Sequence, residues 1–152
     1  MSPQMLQAAK NFYNQISVVK DALTAYKTGG VHAMHDPTEG GIANGIHEMA
    51  DASNLGVKVF EEAVPVQPET VYICNHFQID PLQLIGSGAL LISAEAKSAN
   101  AIISNLKRKR IQASVIGEFT ENTNQRVLIQ KDGGAAVLPR PLSDHLWTAL
   151  RR

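Results

Sequence analysis

His35-Asp36-Pro37-Thr38-Glu39-Gly40-Gly41 combines three features that an ordinary turn does not need together. Pro37 stiffens the approach, Thr38 is of the type that caps a helix, and Gly40 with Gly41 would expose the amides of a first helical turn to an anion. Two glycines at a helix start cost about 1 kcal/mol each relative to alanine, so something should compensate. Upstream, Val31 to Met34 reads as a short extended run. Downstream, Ile42, Ile46, Met49 and Ala50 fall on one face of a helix that Asn54 and Gly56 terminate. The stretch is therefore the turn of a strand–turn–helix unit, and it points to an α/β chain.

The same alternation extends outward. Ser2-Pro3 can cap and start a helix, and Leu6, Ala9, Phe12, Tyr13, Ile16, Val19, Leu23 and Tyr26 keep a spacing of three and four up to Gly29-Gly30. This predicts one amphipathic helix, or two with a break near Ser17. Val57 to Phe60 alternates as a half-buried strand, and a loop follows at Pro65 and Pro68. Val71 to Phe77 is a helical run stopped by Asp80-Pro81, and Gly86-Ser87-Gly88 opens a strand over Ala89 to Ser93. A helix from about Ala96 to Arg108 turns Ile102, Ile103 and Leu106 inward. Ala113 to Phe119 and Arg126 to Lys131 are β-rich, with Asp132-Gly133 as a turn. The expected fold is α/β (α+β), a mixed β-sheet covered by helices. In the tail, Leu142, Leu146, Trp147 and Leu150 stand at helical spacing, as a helix docking back on the domain would need.

Composition narrows the class. The 152 residues suffice for one domain with its own core, and 14 basic against 14 acidic residues give zero formal charge. No face is then expected to attract nucleic acid or a membrane surface by charge alone. The basic run Lys107-Arg108-Lys109-Arg110 ends a helical pattern, where cations favour the helix dipole. One cysteine, Cys74, excludes an intrachain disulfide framework, and no stretch approaches a membrane span or a signal core. A cytoplasmic protein is expected.

The candidate chemistry centres on the opening motif. Asp36 precedes an anion site, where its carboxylate would repel phosphate unless magnesium lay between them; the alternative is an Asx-turn before Pro37. His35 could be an acid, a base or a hydrogen-bond donor, or a histidine satisfied by backbone groups. Gly40 and Gly41 admit either close approach of a ligand or close packing of helix on strand. Gly86-Ser87-Gly88 resembles a small phosphate-approaching loop, although it matches neither a Walker loop nor a dinucleotide fingerprint. Cys74 reads as a buried thiol, and His32, His47, His76 and His145 form no zinc spacing.

Four segments together resemble one family: the HDPTEGG stretch, Glu61-Glu62-Ala63-Val64-Pro65-Val66, Cys74 followed by Asp80-Pro81-Leu82, and Gly86-Ser87-Gly88-Ala89-Leu90-Leu91. In order and spacing they are similar to the carboxy-terminal domain of the aminoimidazole ribonucleotide synthetase (PurM-like) superfamily. Within it they are closest to hydrogenase expression/formation (HypE-like) and AIR synthase-related proteins. Wider relatives are formylglycinamidine ribonucleotide synthase, selenophosphate synthetase and thiamine-monophosphate kinase. The resemblance runs from about Ser17 to Gly117 and implies an α/β domain over 31–138, set between the helical segment over 1–30 and the helical tail over 139–152 that the apolar spacing predicts.

It also implies an ATP-dependent enzyme that activates an oxygen by phosphorylation. Such enzymes are usually dimeric through an amino-terminal domain that supplies most magnesium and phosphate ligands. That domain would be the partner of this chain, in the same or a separate polypeptide, and a homodimer is the implied assembly. Under the resemblance Asp36 falls near the metal, Thr38, Gly40, Gly41, Ser87 and Gly88 near the phosphates, and His35 faces the same cleft. Three departures separate the chain from the hydrogenase-maturation dehydratase: an end at Leu150-Arg151-Arg152 without a terminal cysteine, Glu39 where arginine is usual, and glycines in a loop that usually holds a glutamate. Self-modification of a terminal cysteine is accordingly not expected, and the chain alone is expected to be inactive. The competing expectation is a non-enzymatic binding or assembly module that retains the fold.

Overall fold

Ser2 opens the chain's first helix as its sequence demands: its side chain accepts the Met5 N–H at 3.1 Å, and Pro3 takes the first helical position. This is seen in a computed structural model that describes residues 1–151; Arg152, the last residue of the expected tail helix, lies outside the described residues. Helix α1 (Pro3–Asn11) runs into a 3₁₀ turn, Phe12–Gln15, and helix α2 (Val19–Thr28) follows, so the break expected near Ser17 is present.

Strand β1 (Val31–His35) enters the HDPTEGG turn, and helix α3 (Gly41–Ser53) leaves it, ending on Asn54 in the left-handed conformation. Next come strand β2 (Gly56–Phe60), helix α4 (Pro68–Phe77), a 3₁₀ turn at Pro81–Gln83, strand β3 (Leu91–Ala94) and helix α5 (Ala96–Arg108). Strands β4 (Gly117–Thr120), β5 (Arg126–Ile129) and β6 (Ala135–Val137) precede a short helix α6 (His145–Leu150).

The strands form two sheets. β1 and β3 pair antiparallel, and the larger sheet has the order β4-β2-β5-β6. Within it β2 and β5 are parallel while the outer pairs are antiparallel, which makes the sheet mixed as expected. Helix α3 covers it: Ala43, Ile46 and Ala50 meet Val57, Val59, Leu128 and Leu138 in the main core, which Leu82 and Leu91 complete. A second cluster joins α2 to α5 through Ala25, Ile102 and Leu106, packed against the β1–β3 ribbon.

Four local expectations change. The strand expected from Ala89 begins at Leu91, because the Ala89 N–H is drawn into a turn on the Gly86 carbonyl at 2.9 Å. The run from Ala113 becomes strand only at Gly117, where a side chain would meet the Lys58 carbonyl oxygen at 2.3 Å. Strand β6 was not foreseen: three small residues behind the Gly133-Gly134 turn carry little β signal, and pairing to β5 makes them a strand. The tail helix is shorter than expected, and Leu142, Trp147 and Leu150 are exposed. Polar groups anchor the tail instead: Asp144 is buried, and the His145 ring nitrogen Nδ1 accepts the Asp80 N–H at 3.1 Å.

Candidate functional site

The HDPTEGG turn carries the chain from the small sheet to the helix over the large one. Pro37 is fully buried at its bend, while Asp36, Thr38 and Glu39 face solvent. Thr38 is not the helix cap. Gly40 takes that position in the left-handed conformation (φ 76°), and Gly41 follows at φ 63°, angles that favour glycine. The Thr38 carbonyl accepts both the Gly41 N–H at 3.0 Å and the Gly86 N–H at 3.3 Å, so the two glycine segments named in the sequence adjoin through one oxygen.

The first-turn amides are not free. The Gly40 N–H donates to Asp144 Oδ2 at 2.7 Å, and the Gly41 N–H is held by Thr38. A carboxylate from the tail thus occupies the place at the start of α3 where an anion was expected, consistent with the positive end of the helix dipole. The compensation for two glycines is largely packing. A Cβ on Gly41 would lie 2.3 Å from the Leu84 carbonyl oxygen, and one on Gly40 would lie 2.7 Å from the Asn44 Cβ.

His35, at the end of β1, has a partner that the sequence did not reveal. Its Nε2 lies 2.7 Å from Glu48 Oε2, and the Asn44 side-chain amide donates to the other Glu48 oxygen at 3.1 Å. Asn44 and Glu48 are four residues apart on the outer face of α3, a spacing that could have signalled the pair. Glu48 orients the ring, which makes His35 a held imidazole rather than a histidine satisfied by backbone. Gly45 permits this approach, since a Cβ there would lie 3.1 Å from the His35 ring.

Asp36 differs from its neighbours. It is exposed and makes no hydrogen bond or ion pair among the described residues, so the Asx-turn is not formed. Its free oxygens suit one ligand of a magnesium ion whose remaining ligands are phosphates and water. Among the described residues no group of three or more His, Cys, Asp or Glu side chains could hold a metal, so Asp36 would supply a single contact. Ser87 and Gly88 are exposed in the loop that the Gly86 N–H ties to the Thr38 carbonyl, with Gly88 at φ 95°.

Elsewhere the chemistry is structural. Burial pushes the Cys74 thiol up in pKa, with the Asp80 charge adding to it, which leaves an inert core thiol. Asp51 holds Arg126 at 2.6 Å and Arg140 at 2.8 Å, and the Arg126 hydrogen bond keeps its carboxyl below the usual range. No helix among the described residues is long and apolar enough to cross a membrane.

A mixed sheet covered by a helix that starts in a glycine turn, with a held histidine and a free aspartate at its mouth, defines an α/β domain built around a strand–turn–helix site. The chain belongs to the family described as AIR synthase related protein, C-terminal domain, which it matches over residues 8–130. A putative hydrogenase expression/formation protein of Methanocaldococcus jannaschii is 30% identical over 116 residues, covering 75% of this chain and 34% of that protein. Carbamoyl dehydratase HypE of Rhizobium leguminosarum is 31% identical over 115 residues, 72% of this chain and 33% of the relative.

Among solved structures, Escherichia coli HypE superposes with a TM-score of 0.76 at 25% identity, over 91% of this chain and 47% of that one. The hydrogenase maturation protein HypE in complex with ATP gives 0.66 at 27% identity, over 74% and 36%. The chain therefore spans about a third of the length of the curated relatives it matches.

Proposed function

We propose that this domain closes a magnesium–ATP site whose other half belongs to an amino-terminal domain, in the same or a separate chain, in a cytoplasmic, dimeric, ATP-dependent enzyme of the hydrogenase expression/formation type. The observation that carries this reading is Asp36: an exposed carboxylate without a protein partner, at the mouth of a glycine turn, in a fold similar to a HypE bound to ATP. Asp36 would contact magnesium, and Thr38, Ser87 and Gly88 would approach the phosphates. Gly40 and Gly41 would shape the turn, because their amides already have acceptors. His35, oriented by Glu48, would hold or move a proton at Nε2 or donate to developing charge.

Magnesium and ATP supply the electrophilic phosphorus and its charge neutralisation. One aspartate cannot balance that charge alone, so the isolated 152-residue chain should turn over ATP slowly or not at all. The helical segment over 1–30 and the tail over 139–152 would flank this domain as accessory pieces. The rival, a non-enzymatic module, is favoured by one observation: the Gly40 N–H at the start of α3, where an anion was expected, already holds the Asp144 carboxylate. Magnesium-dependent ATP turnover by the complete natural polypeptide decides between them: turnover lost with Asp36→Asn supports the enzyme, and no turnover in the complete polypeptide with any partner chain overturns it.

A further inference from the structure

Strand β6 is an edge of the larger sheet, and half of its backbone has nothing to pair with. The Gly134 carbonyl accepts the Gln130 N–H at 2.8 Å, the Leu138 N–H donates to the Arg126 carbonyl at 2.8 Å, and Ala136 stands opposite Leu128. Residues 134, 136 and 138 therefore turn their backbone groups toward β5. By the alternation of an antiparallel ladder, Ala135 and Val137 turn theirs away from it. Among the described residues the N–H and C=O groups of these two have no partner, and the strand is open: Ala135 is exposed and Val137 is 79% exposed.

Proteins blunt a bare edge with charge, proline or a bulge, because it would otherwise pair with another chain. The opposite edge follows that rule, since β4 carries Glu118 and runs into Glu121. β6 does not. It consists of Ala135, Ala136 and Val137 in regular register with β5. Ala135 and Val137 lie on the face opposite Leu128 and Leu138, beside the half-buried Val127 and Ile129, so the edge extends an apolar strip that is partly open to solvent.

The edge is also complementary to itself. An antiparallel copy related by a two-fold axis through Ala136 sets Ala135 against the second copy's Val137, and Val137 against the second copy's Ala135. In both pairs the outward backbone groups face each other, so every unpaired group of the two edges is satisfied at once. The same axis brings the Asp132 end of each edge to the Arg140 end of the other, two exposed residues of opposite charge. Lys131, the remaining charge at the Asp132 end, lines a cavity with Phe60 and Glu62.

We propose that β6 is a two-fold interface through which two copies of this chain join edge to edge into one continuous sheet. A second copy is the occupant because this edge supplies both the unpaired groups and, in that register, the groups and charges that answer them. The interface is independent of the nucleotide site, since neither Asp36 nor His35 takes part in it.

The test uses the naturally encoded polypeptide with one cysteine added, at Ala135, Ala136 or Val137. Disulfide-linked dimer is followed under mild oxidation with copper–phenanthroline, against the parent. The register sets Ala136 opposite its own copy with Cα atoms about 4.5 Å apart, within the span of a disulfide, whereas 135 and 137 face each other. Ala136→Cys should therefore link at least about tenfold faster than Val137→Cys, although Val137 is the more exposed residue. Co-expressed Ala135→Cys and Val137→Cys copies should link to each other faster than either links to itself, an arm that stands even if Ala136→Cys does not fold. Adding Val137→Lys to Ala136→Cys should slow linkage about tenfold, because a lysine on an edge strand opposes pairing. Its thermal unfolding should match that of Ala136→Cys alone, since Val137 is exposed. Linkage that follows exposure and is fastest at Val137, linkage unchanged by the lysine, or no dimer above the parent's in any arm would overturn the interface.

Discussion

Asp144 and Gly40, 104 residues apart, are joined by a hydrogen bond of 2.7 Å in which a tail carboxylate accepts the N–H at the start of α3. The other carboxylate oxygen accepts the Leu146 N–H at 2.7 Å and caps α6, so both oxygens of one buried side chain are used. Polar contacts hold the tail on the domain: this carboxylate on Gly40, His145 on the Asp80 N–H and Arg140 on Asp51, since Leu142 and Leu150 contribute little buried area.

Asp144→Ala should therefore cost about 1–3 kcal/mol, because it strands a buried N–H and removes a helix cap. Asp144→Asn keeps one carbonyl oxygen and should cost less. Denaturant midpoints of the two variants check the order, and an alanine variant as stable as the parent would show that the bond is not holding the tail.

Asp36→Asn should leave the melting temperature near that of the parent, because the side chain is exposed and bonds to nothing among the described residues. In the complete polypeptide, magnesium-dependent ATP turnover should fall by about two orders of magnitude, as loss of charge at a transferring phosphoryl group typically costs several kcal/mol. Calorimetry and a phosphate-release assay give the two readouts. Near-normal turnover would remove Asp36 from the metal.

Gly41→Ala places a methyl 2.3 Å from the Leu84 carbonyl oxygen in a left-handed backbone, and should destabilise by roughly 3 kcal/mol from strain and overpacking together. Gly133→Ala has the same kind of backbone angle, φ 86°, with nothing within 4 Å, so it should cost only the strain, about 1 kcal/mol. Unfolding curves of the pair separate space from conformation. Equal losses would mean that the close approach at Gly41 relaxes freely.

His47 predicts a pH dependence. It is 3% exposed, its Nε2 donates to the Leu138 carbonyl at 3.2 Å, and Nδ1 has no partner among the described residues. Burial lowers its pKa below the ordinary 6.5; the Leu138 hydrogen bond opposes this, and the charges of Arg140 and Arg126 reinforce it. The unfolded chain then binds a proton at a higher pH than the folded one, so the stability His47 contributes is present above 6.5 and is lost as pH falls below it. Urea midpoints at pH 7.5 and about pH 5 should differ, and His47→Gln should flatten that difference. The Asp51 contribution is lost only at lower pH, through the depressed range of its carboxyl, so the two effects separate.

Much of the architecture was legible because it depends on local chemistry. Ser2-Pro3 and the Gly29-Gly30 stop bracket the first helical segment wherever it packs, and Ile46, Ala50, Ile102 and Leu106 fall inside because their periodicity matches their helices. The motif order by itself identified the family, since the spacing of HDPTEGG, Cys74, Asp80-Pro81 and the Gly86 loop is fixed along the chain. The outward orientation of Tyr13, Val19, Leu23 and Tyr26, all exposed, was not legible: amphipathicity defines an apolar face, and only the rest of the fold decides whether this chain covers it.

What the sequence by itself determined is the strand–turn–helix unit, the extent of most helices and membership of the family, because caps, breakers and periodicity act over a few residues. Tertiary structure alone decided that Glu48 holds His35, that Asp144 occupies the Gly40 amide, that Gly41 is required by the backbone of Leu82 and Leu84, and that Asp36 stays free. Except for the free Asp36, each of these is a contact between distant positions, or between a strand end and a helix face. Such contacts follow from how elements are placed against one another, and nothing in local propensity specifies that placement.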